Sequence, residues 1–146
     1  AMVNMAAKPG QWVIDPCCGV GTVLVEAESV GVNAVGCDAN KKMTSPARDN
    51  LLHFGLPARV FAGDARQVAG NFDAVVTDLP YGWTAKRADG LCEQILDNAR
   101  RLARRLCVVV GEDSASAIER AGYRVLRHAV QPKRRGARHV FVAVAR

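Results

Sequence analysis

The sequence lacks the features that would place a chain in a membrane or on a secretory route. No apolar stretch among its 146 residues approaches the roughly 20 that a membrane-spanning helix needs. No basic segment followed by an apolar one opens the chain, so we expect no signal peptide. The five cysteines form no CxxC pair and have no metal-ligand spacing, which favours a reduced, cytoplasmic setting without a metal site. Repeats, low-complexity tracts and linkers are also missing, so we expect 1–146 to be a single domain.

Aromatic residues are scarce, at 5% of the chain, but the composition is otherwise that of a globular protein. Hydrophobic residues make up 49% and charged residues 23%, which excludes a disordered segment. Lysine and arginine number 20 against 14 acidic residues, giving a formal charge of +6. That excess is compatible with an anionic partner but does not identify one.

Short β-rich runs alternate with helical stretches, which predicts an α/β domain with a largely parallel sheet. Strands are predicted near 11–15, 33–37, 58–62, 72–77, 106–111, 123–130 and 138–145, and helices near 2–7, 21–31, 41–54, 91–105 and 114–121. The segment 132–137 between the last two strands is too short for a helical crossover, so these strands should pair antiparallel. The prediction is a Rossmann-like layout of the class I methyltransferase type, a mostly parallel seven-stranded sheet with an antiparallel C-terminal hairpin strand.

A glycine turn, D-P-C-C-G-V-G-T at 15–22, follows the first predicted strand. Gly19 and Gly21 allow backbone conformations and a close ligand approach that a Cβ would forbid. The helix that follows directs its N-terminal amides at the turn, where a ligand carboxylate would be stabilised. Ligands of open α/β sheets bind outside the carboxyl ends of the strands, at such a crossover. The turn therefore predicts a cradle for a nucleoside cofactor.

Carboxylates close three successive predicted strands. Asp38 ends the second strand and is suited to accept both ribose hydroxyls of a nucleoside. Asp64 follows the third strand and is suited to accept a hydrogen bond from an adenine amine. Asp15 ends the first strand and faces the amino end of a methionine-like ligand. This set favours S-adenosylmethionine as the cofactor.

A dinucleotide cofactor is the alternative, because the spacing from Gly21 to Asp38 also suits the Rossmann fingerprint. That fingerprint requires G-x-G-x-x-G, whereas Leu24 stands at the third glycine position. An NAD site would also leave Asp64 without a role. Turn glycines and helix-capping aspartates with no ligand are a second alternative.

A second motif, D-L-P-Y-G at 78–82, follows the fourth predicted strand. The exocyclic amine of a nucleobase is a poor nucleophile because its lone pair is delocalised into the ring. The Asp78 carboxylate and the Leu79 backbone carbonyl would accept its two hydrogens and localise that pair. Pro80 biases Leu79 toward an extended conformation, and Tyr81 offers a stacking face worth roughly 1–3 kcal/mol. The motif predicts methyl transfer to a planar amine, with an ordinary Asp/Pro/Gly turn as the alternative.

Four segments together resemble the catalytic domain of tRNA guanine-N2 methyltransferases, whose members usually carry an N-terminal THUMP RNA-binding domain. They are Met2–Ala6, Asp15–Thr22, the pair Glu26-Ala27 and Asp78–Gly82, and the likeness runs from about residue 2 to 90 and more loosely through the closing hairpin. The resemblance implies catalytic roles for Asp78, Leu79, Pro80 and Tyr81. It implies S-adenosylmethionine contacts at Asn4, Asp15, Pro16, Cys17, Gly19, Gly21, Thr22, Asp38, Ala39, Asp64, Ala65 and Asp78.

The chain departs from that family in two respects. Leu79 stands where many relatives have proline, although the predicted role needs only its backbone carbonyl. No segment of 1–146 has the character of a THUMP domain, so a separate RNA-binding domain or subunit is expected to capture the RNA.

Basic and aromatic residues near the predicted site are candidates for RNA contacts. They are Trp83, Lys86 and Arg87 after the second motif, and Lys133, Arg134, Arg135 and Arg138 in the closing hairpin. A solvated, charged turn is the alternative for the hairpin.

The sequence thus predicts an S-adenosylmethionine-dependent methyltransferase that acts on the N2 amine of a guanosine in RNA. The family resemblance favours tRNA as that RNA. Motifs of the D-L-P-Y kind also serve DNA adenine-N6 and protein glutamine methyltransferases, which are alternatives within enzymes. A non-catalytic module that binds cofactor or RNA is the alternative of another class.

Overall fold

The computed structural model describes residues 2–79 and 90–146. Its helices are α1 (Met2–Ala6), α2 (Thr22–Ser29), α3 (Thr44–His53), α4 (Leu91–Leu102) and α5 (Ala115–Arg120). Its strands are β1 (Trp12–Asp15), β2 (Asn33–Asp38), β3 (Val60–Ala62), β4 (Ala74–Asp78), β5 (Arg105–Val110), β6 (Tyr123–Pro132) and β7 (Ala137–Ala145).

The strands form one seven-stranded sheet in the order β3-β2-β1-β4-β5-β7-β6. Strands β1 to β5 pair in parallel, and β7 pairs antiparallel with both β5 and β6. The order reverses direction between β1 and β4, since β2 and β3 extend to one side and β5 to the other. This reversal is the topological switch point at which ligands of open α/β sheets bind. The predicted fold class is confirmed.

Helices cover both faces of the sheet. Successive residues of a strand point to opposite faces, so each strand contributes side chains to the cores on both sides. Val13 and Val76 belong to the core cluster that also contains residues of α1, α2 and α3. Ile14 and Val75 belong to the second cluster, which contains residues of α4 and α5. Burial on both faces explains why the central strands read as short apolar runs in the sequence.

Two predicted helices differ from the observed ones. The helix predicted near 91–105 ends at Leu102, where Ala103 is extended and the Leu102 carbonyl accepts the amide of Phe72 at 2.8 Å. Arg105 already belongs to β5, so the arginine-rich stretch spans a helix end and a strand start. The helix predicted near 41–54 begins with a separate 3₁₀ turn, Lys41–Met43, capped by the Asn40 side chain.

Neither a helix long and apolar enough to span a membrane nor a cluster of three or more metal-binding side chains occurs in residues 2–79 and 90–146. The cysteines are free thiols. Burial raises the pKa of Cys18, Cys37 and Cys107 to about 12. These thiols therefore stay protonated at neutral pH and act as small apolar groups rather than nucleophiles.

Tyr123, at the start of β6, is the largest of the fully buried side chains. Its hydroxyl has no hydrogen-bond partner in the described part of the chain, and burial raises the pKa of its phenol. The Arg100 guanidinium lies 5.8 Å from the ring centroid. The ring therefore stabilises the fold by packing, while its hydroxyl is a buried polar group that costs free energy.

Replacing Tyr123 with phenylalanine should raise the free energy of unfolding by about 1 kcal/mol, because it removes only the unpaired hydroxyl. Replacing it with leucine, the matched control, should lower that free energy by about 2 kcal/mol through lost ring packing. Urea unfolding followed by circular dichroism measures both. A loss of stability in the phenylalanine variant would mean that the hydroxyl has a partner.

Candidate active site

A cavity of about 890 Å³ opens at the carboxyl ends of β1, β2, β3 and β4. This volume lies in the range of small-molecule sites. The residues that line it are Met2, Met5, Asp15, Pro16, Cys17, Cys18, Gly19, Val20, Thr22, Val23, Glu26, Asp38, Ala39, Asp64, Ala65, Arg66, Asp78, Leu79, Leu91, Ile95, Val109, Gln131, Arg138 and Val140. Because parallel strands end at the same edge of a sheet, carboxylates that are far apart in sequence converge there.

Asp15 is the buried carboxyl of this cavity, with a relative exposure of 2%. Its Oδ1 accepts the Thr77 hydroxyl at 2.7 Å and the Cys17 amide at 3.1 Å. Burial raises the pKa of Asp15 to about 7, against the effect of these two hydrogen bonds. A ligand cation placed against Asp15 would favour the ionised form, so this end of the cavity suits an ammonium group.

Asp38 ties the glycine turn to the loop after β2. Its Oδ2 accepts the Gly19 amide and its Oδ1 accepts the Asn40 amide, both at 2.9 Å. Each carboxylate oxygen retains a second lone pair. Asp38 is therefore held in place by the backbone and still able to accept hydroxyl groups of a ligand.

The glycine turn leaves room for a ligand at Gly19 but not at Gly21. Gly19 has φ +51, and a Cβ built there would meet nothing within 4 Å. Gly21 has φ +88, and its Cβ would lie 3.4 Å from the Cβ of Ala47. Gly21 therefore lets α3 approach the start of α2, and it is not among the residues that line the cavity. The N-terminus of α2 has no side-chain cap among the described residues, which leaves its amides for a ligand anion.

Asp64 binds an arginine, Arg66, that no sequence motif indicated. The Arg66 guanidinium donates to Oδ1 and Oδ2 of Asp64 at 3.0 and 2.7 Å, and to Oε1 of Gln94 at 3.3 Å. These hydrogen bonds lower the pKa of Asp64. Arg66 lines the cavity beside the carboxylate, so a planar cation forms part of the wall where an adenine was predicted.

Asp78 lies at the end of β4 and forms an ion pair with Arg138 of β7. The next residue, Leu79, is fixed twice: its amide donates to the Val109 carbonyl at 2.9 Å, and its side chain is buried. A proline at 79 could not make that hydrogen bond. The remaining residues of this motif, Pro80, Tyr81 and Gly82, and the predicted RNA contacts Trp83, Lys86 and Arg87 lie outside the described residues.

Asn4, predicted to contact the cofactor, is not among the residues that line the cavity. It is exposed, whereas Met2 and Met5 of the same helix line the cavity. Residues three apart share a helix face and Asn4 falls on another, which explains the difference. Glu26, which in the sequence forms part of the family resemblance, lines the cavity and accepts the Val3 amide at 3.0 Å. It thereby fixes α1 against α2.

The predicted hairpin cations fall into two groups. Arg134 and Arg135 are exposed at the turn between β6 and β7. Lys133 and Arg138 line a small neighbouring cavity of about 130 Å³ together with Asp78. Arg138 also lines the main cavity, so the hairpin contributes a cation to its wall.

The fold and the cavity together define a methyltransferase domain of class I. Residues 1–136 match the family described as the RMKL-like methyltransferase domain (UPF0020), and the chain belongs to that family. The predicted methyltransferase class is confirmed.

One relative and two solved structures illustrate the similarity. A tRNA (guanine(10)-N2)-dimethyltransferase of Methanothermobacter thermautotrophicus is 39% identical over 106 residues, which are 67% of this chain and 32% of that protein. The chain thus spans about a third of the relative. TrmN from Thermus thermophilus superposes with a TM-score of 0.85 at 24% identity, covering 99% of this chain and 47% of that one. Magnesium protoporphyrin IX methyltransferase from Synechocystis, solved with bound SAM, gives a TM-score of 0.81 at 18% identity, covering 99% and 74%.

Replacing Asp15 with asparagine tests the raised pKa. The folded-state pKa of about 7 exceeds the ordinary 3.8, so the folded protein holds an extra proton between these values. The associated stability is fully present below pH 4 and is lost as the pH rises through 7. From pH 5 to pH 8 the wild type should therefore lose about 2–3 kcal/mol more unfolding free energy than Asp15→Asn.

Urea unfolding at pH 5, 6, 7 and 8 measures this difference. Asp49→Asn, which changes an exposed aspartate on α3, is the control and should keep the wild-type slope. Parallel curves for the wild type and Asp15→Asn would show that Asp15 titrates as an ordinary carboxyl.

Proposed function

We propose that this chain is the catalytic domain of an S-adenosylmethionine-dependent RNA methyltransferase acting on the exocyclic N2 amine of a guanosine, in tRNA. The observation that carries the proposal is the convergence of Asp15, Asp38, Asp64 and Asp78 on one cavity beside an open glycine turn. Asp15, Asp38 and Asp64 serve the cofactor, and Asp78, which the resemblance also implies as a cofactor contact, serves chiefly the acceptor.

The residues of the cavity fit each part of S-adenosylmethionine, which supplies an electrophilic methyl group when bound. Asp15 would bind the ammonium group, and the free amides at the start of α2 the carboxylate. Asp38 would bind the ribose hydroxyls. Asp64 and the flat face of Arg66 would contact the adenine. Of the other predicted contacts, Pro16, Cys17, Thr22, Ala39 and Ala65 line the same cavity.

Asp78 and Leu79 are proposed to bind the acceptor amine. The Asp78 carboxylate accepts one amine hydrogen and the Leu79 carbonyl the other, which localises the lone pair on nitrogen. The hydrogen bond from Leu79 to Val109 and the buried Leu79 side chain hold this stretch of backbone in place. Rate enhancement here comes chiefly from positioning. Pro80 and Tyr81 keep their proposed roles from the sequence motif alone.

The RNA substrate is supported by the tRNA methyltransferase relative and by charge. The chain carries a net charge of +6, and the hairpin residues Lys133 and Arg138 line a small cavity beside Asp78. Because the chain spans about a third of that relative, we assign RNA capture to a separate domain or subunit. A tRNA substrate would place the protein in the cytoplasm.

Two measurements separate the proposal from its alternatives. Titration calorimetry with S-adenosylmethionine measures cofactor binding, and methyl incorporation into bulk tRNA, followed by nucleoside mass spectrometry, identifies the product. N2-methylguanosine is the expected product. Binding without transfer would favour a non-catalytic module, and transfer to adenine-N6 in DNA or to protein glutamine would replace the RNA assignment.

Replacing Asp78 with alanine should lower methyl transfer to tRNA by about 100-fold or more, because the amine loses its carboxylate acceptor. Cofactor affinity should stay within about twofold, since Asp15 and Asp38 are unchanged. Asp49→Ala, at an exposed residue of α3 that does not line the cavity, is the matched control. Equal losses of transfer and cofactor affinity would contradict the acceptor role of Asp78.

Replacing Asp38 with alanine should instead weaken cofactor affinity by about tenfold or more, through lost hydrogen bonds to the ribose. Asp38 also accepts the Gly19 and Asn40 amides, so its loss can destabilise the fold. Thermal unfolding must therefore be measured together with the calorimetric cofactor affinity, to show that the variant is folded. Unchanged affinity in a folded variant would remove Asp38 from the cofactor site.

A further inference from the structure

The ion pair between Arg138 and Asp78 joins two strands that are not neighbours. Asp78 pairs in register with Val109 of β5, and Val109 pairs with Val140 of β7. Arg138 precedes Val140 by two residues, so it lies on the same face of β7. Strand β7 runs antiparallel to β5, and His139 pairs with Val110, the last residue of β5, so Arg138 lies just beyond the end of β5. Its side chain reaches across β5 to Asp78, a separation of two strand spacings, or about 10 Å.

This contact competes with the proposed role of Asp78. The guanidinium donates to Oδ2 of Asp78, and arginine has donors but no acceptor. An acceptor amine also presents donors to the same carboxylate. Arg138 and the amine therefore compete for one group, and full engagement of the amine requires Arg138 to withdraw.

The ion pair is weak enough to open. The side chains are 45% exposed at Asp78 and 29% exposed at Arg138. Pairs of this kind shift an equilibrium by at most about fivefold. A phosphate offers arginine a bidentate partner of matching geometry. An RNA backbone lying on the hairpin is thus a competitor strong enough to take Arg138 from Asp78.

We propose that Arg138 couples binding of the RNA backbone to the availability of Asp78. Without RNA, Arg138 pairs with Asp78; with RNA, a phosphate binds Arg138 and leaves the carboxylate to the acceptor amine. Arg138 is then a positioning residue that favours amines carried on a phosphodiester chain over free nucleosides. This inference rests on the proposed RNA substrate.

A double-mutant cycle on RNA binding tests the coupling. Fluorescence anisotropy with a labelled, unmodified tRNA transcript, without cofactor, gives the affinity of the wild type, Asp78→Asn, Arg138→Gln and the double variant. Asp78→Asn should tighten binding by about two- to fivefold, since Arg138 no longer has to leave a partner. Arg138→Gln should weaken binding and reduce the slope of log K against log salt by about 0.7–0.9, one phosphate contact.

The coupling predicts that Asp78→Asn has almost no effect once Arg138 is glutamine. Arg124→Gln, an exposed cation at the other end of β6, is the control and should leave the gain from Asp78→Asn intact. A gain that persists in the Arg138→Gln background would reflect the general field of the carboxylate and would overturn the proposal.

An unchanged salt slope in Arg138→Gln would overturn it as well. Failure of the wild type to bind the transcript would overturn this coupling, which requires the hairpin itself to contact RNA, and the RNA substrate would then be judged by methyl incorporation. Binding with the expected coupling but no methyl incorporation would contradict the proposed function alone.

Discussion

The parallel pairing of β1 with β4 is the constraint on which the site depends. It aligns Val13 with Ala74 and Ile14 with Val75, so the two strands end side by side. The Thr77 hydroxyl then donates to the Asp15 carboxyl at 2.7 Å, a buried bond between residues 62 positions apart in sequence. One strand ends at the proposed cofactor group and the other at the proposed acceptor group. Any shift in this register would move Asp15 relative to Asp78 and would break the hydrogen bond from Thr77 to Asp15.

Burial gives Asp15 a property that exposed carboxylates of the cavity do not share. With a pKa raised to about 7, it is near the midpoint of its titration at neutral pH. Retaining an ionised carboxyl in such a place costs free energy, and a cationic ligand offsets that cost. Functional groups often carry perturbed pKa values for this reason. The position of Asp15 therefore favours a ligand with an ammonium group over a neutral one.

The sequence predicted the parts of the site that follow from strand periodicity. Each of Asp15, Asp38 and Asp78 terminates an apolar run, and a parallel sheet must bring such termini to one edge. It did not predict that Arg66 lines the cavity or that Arg138, expected as an RNA contact, pairs with Asp78, because long flexible side chains meet their partners through tertiary contacts that no local pattern encodes. The sequence also did not indicate that Met2 and Met5, and not Asn4, line the cavity. The rotation of a single helical turn decides which of its residues face the cavity, and Met2 and Met5 occupy that face.

The distribution of charge separates two tasks within a small domain. The cavity gathers carboxylates that suit a cationic cofactor, while the hairpin outside it gathers cations that suit a polyanion. These opposite fields would cancel if they were mixed, and they act at close range because salt screens charges beyond about 10 Å. Arg138 lies at the boundary between the two regions: its guanidinium pairs with Asp78, and its strand, β7, begins directly after the basic turn. Because Arg138 is close to both the acidic cavity and the basic turn, binding of an anion at the turn can change the contacts of Asp78 through this one side chain.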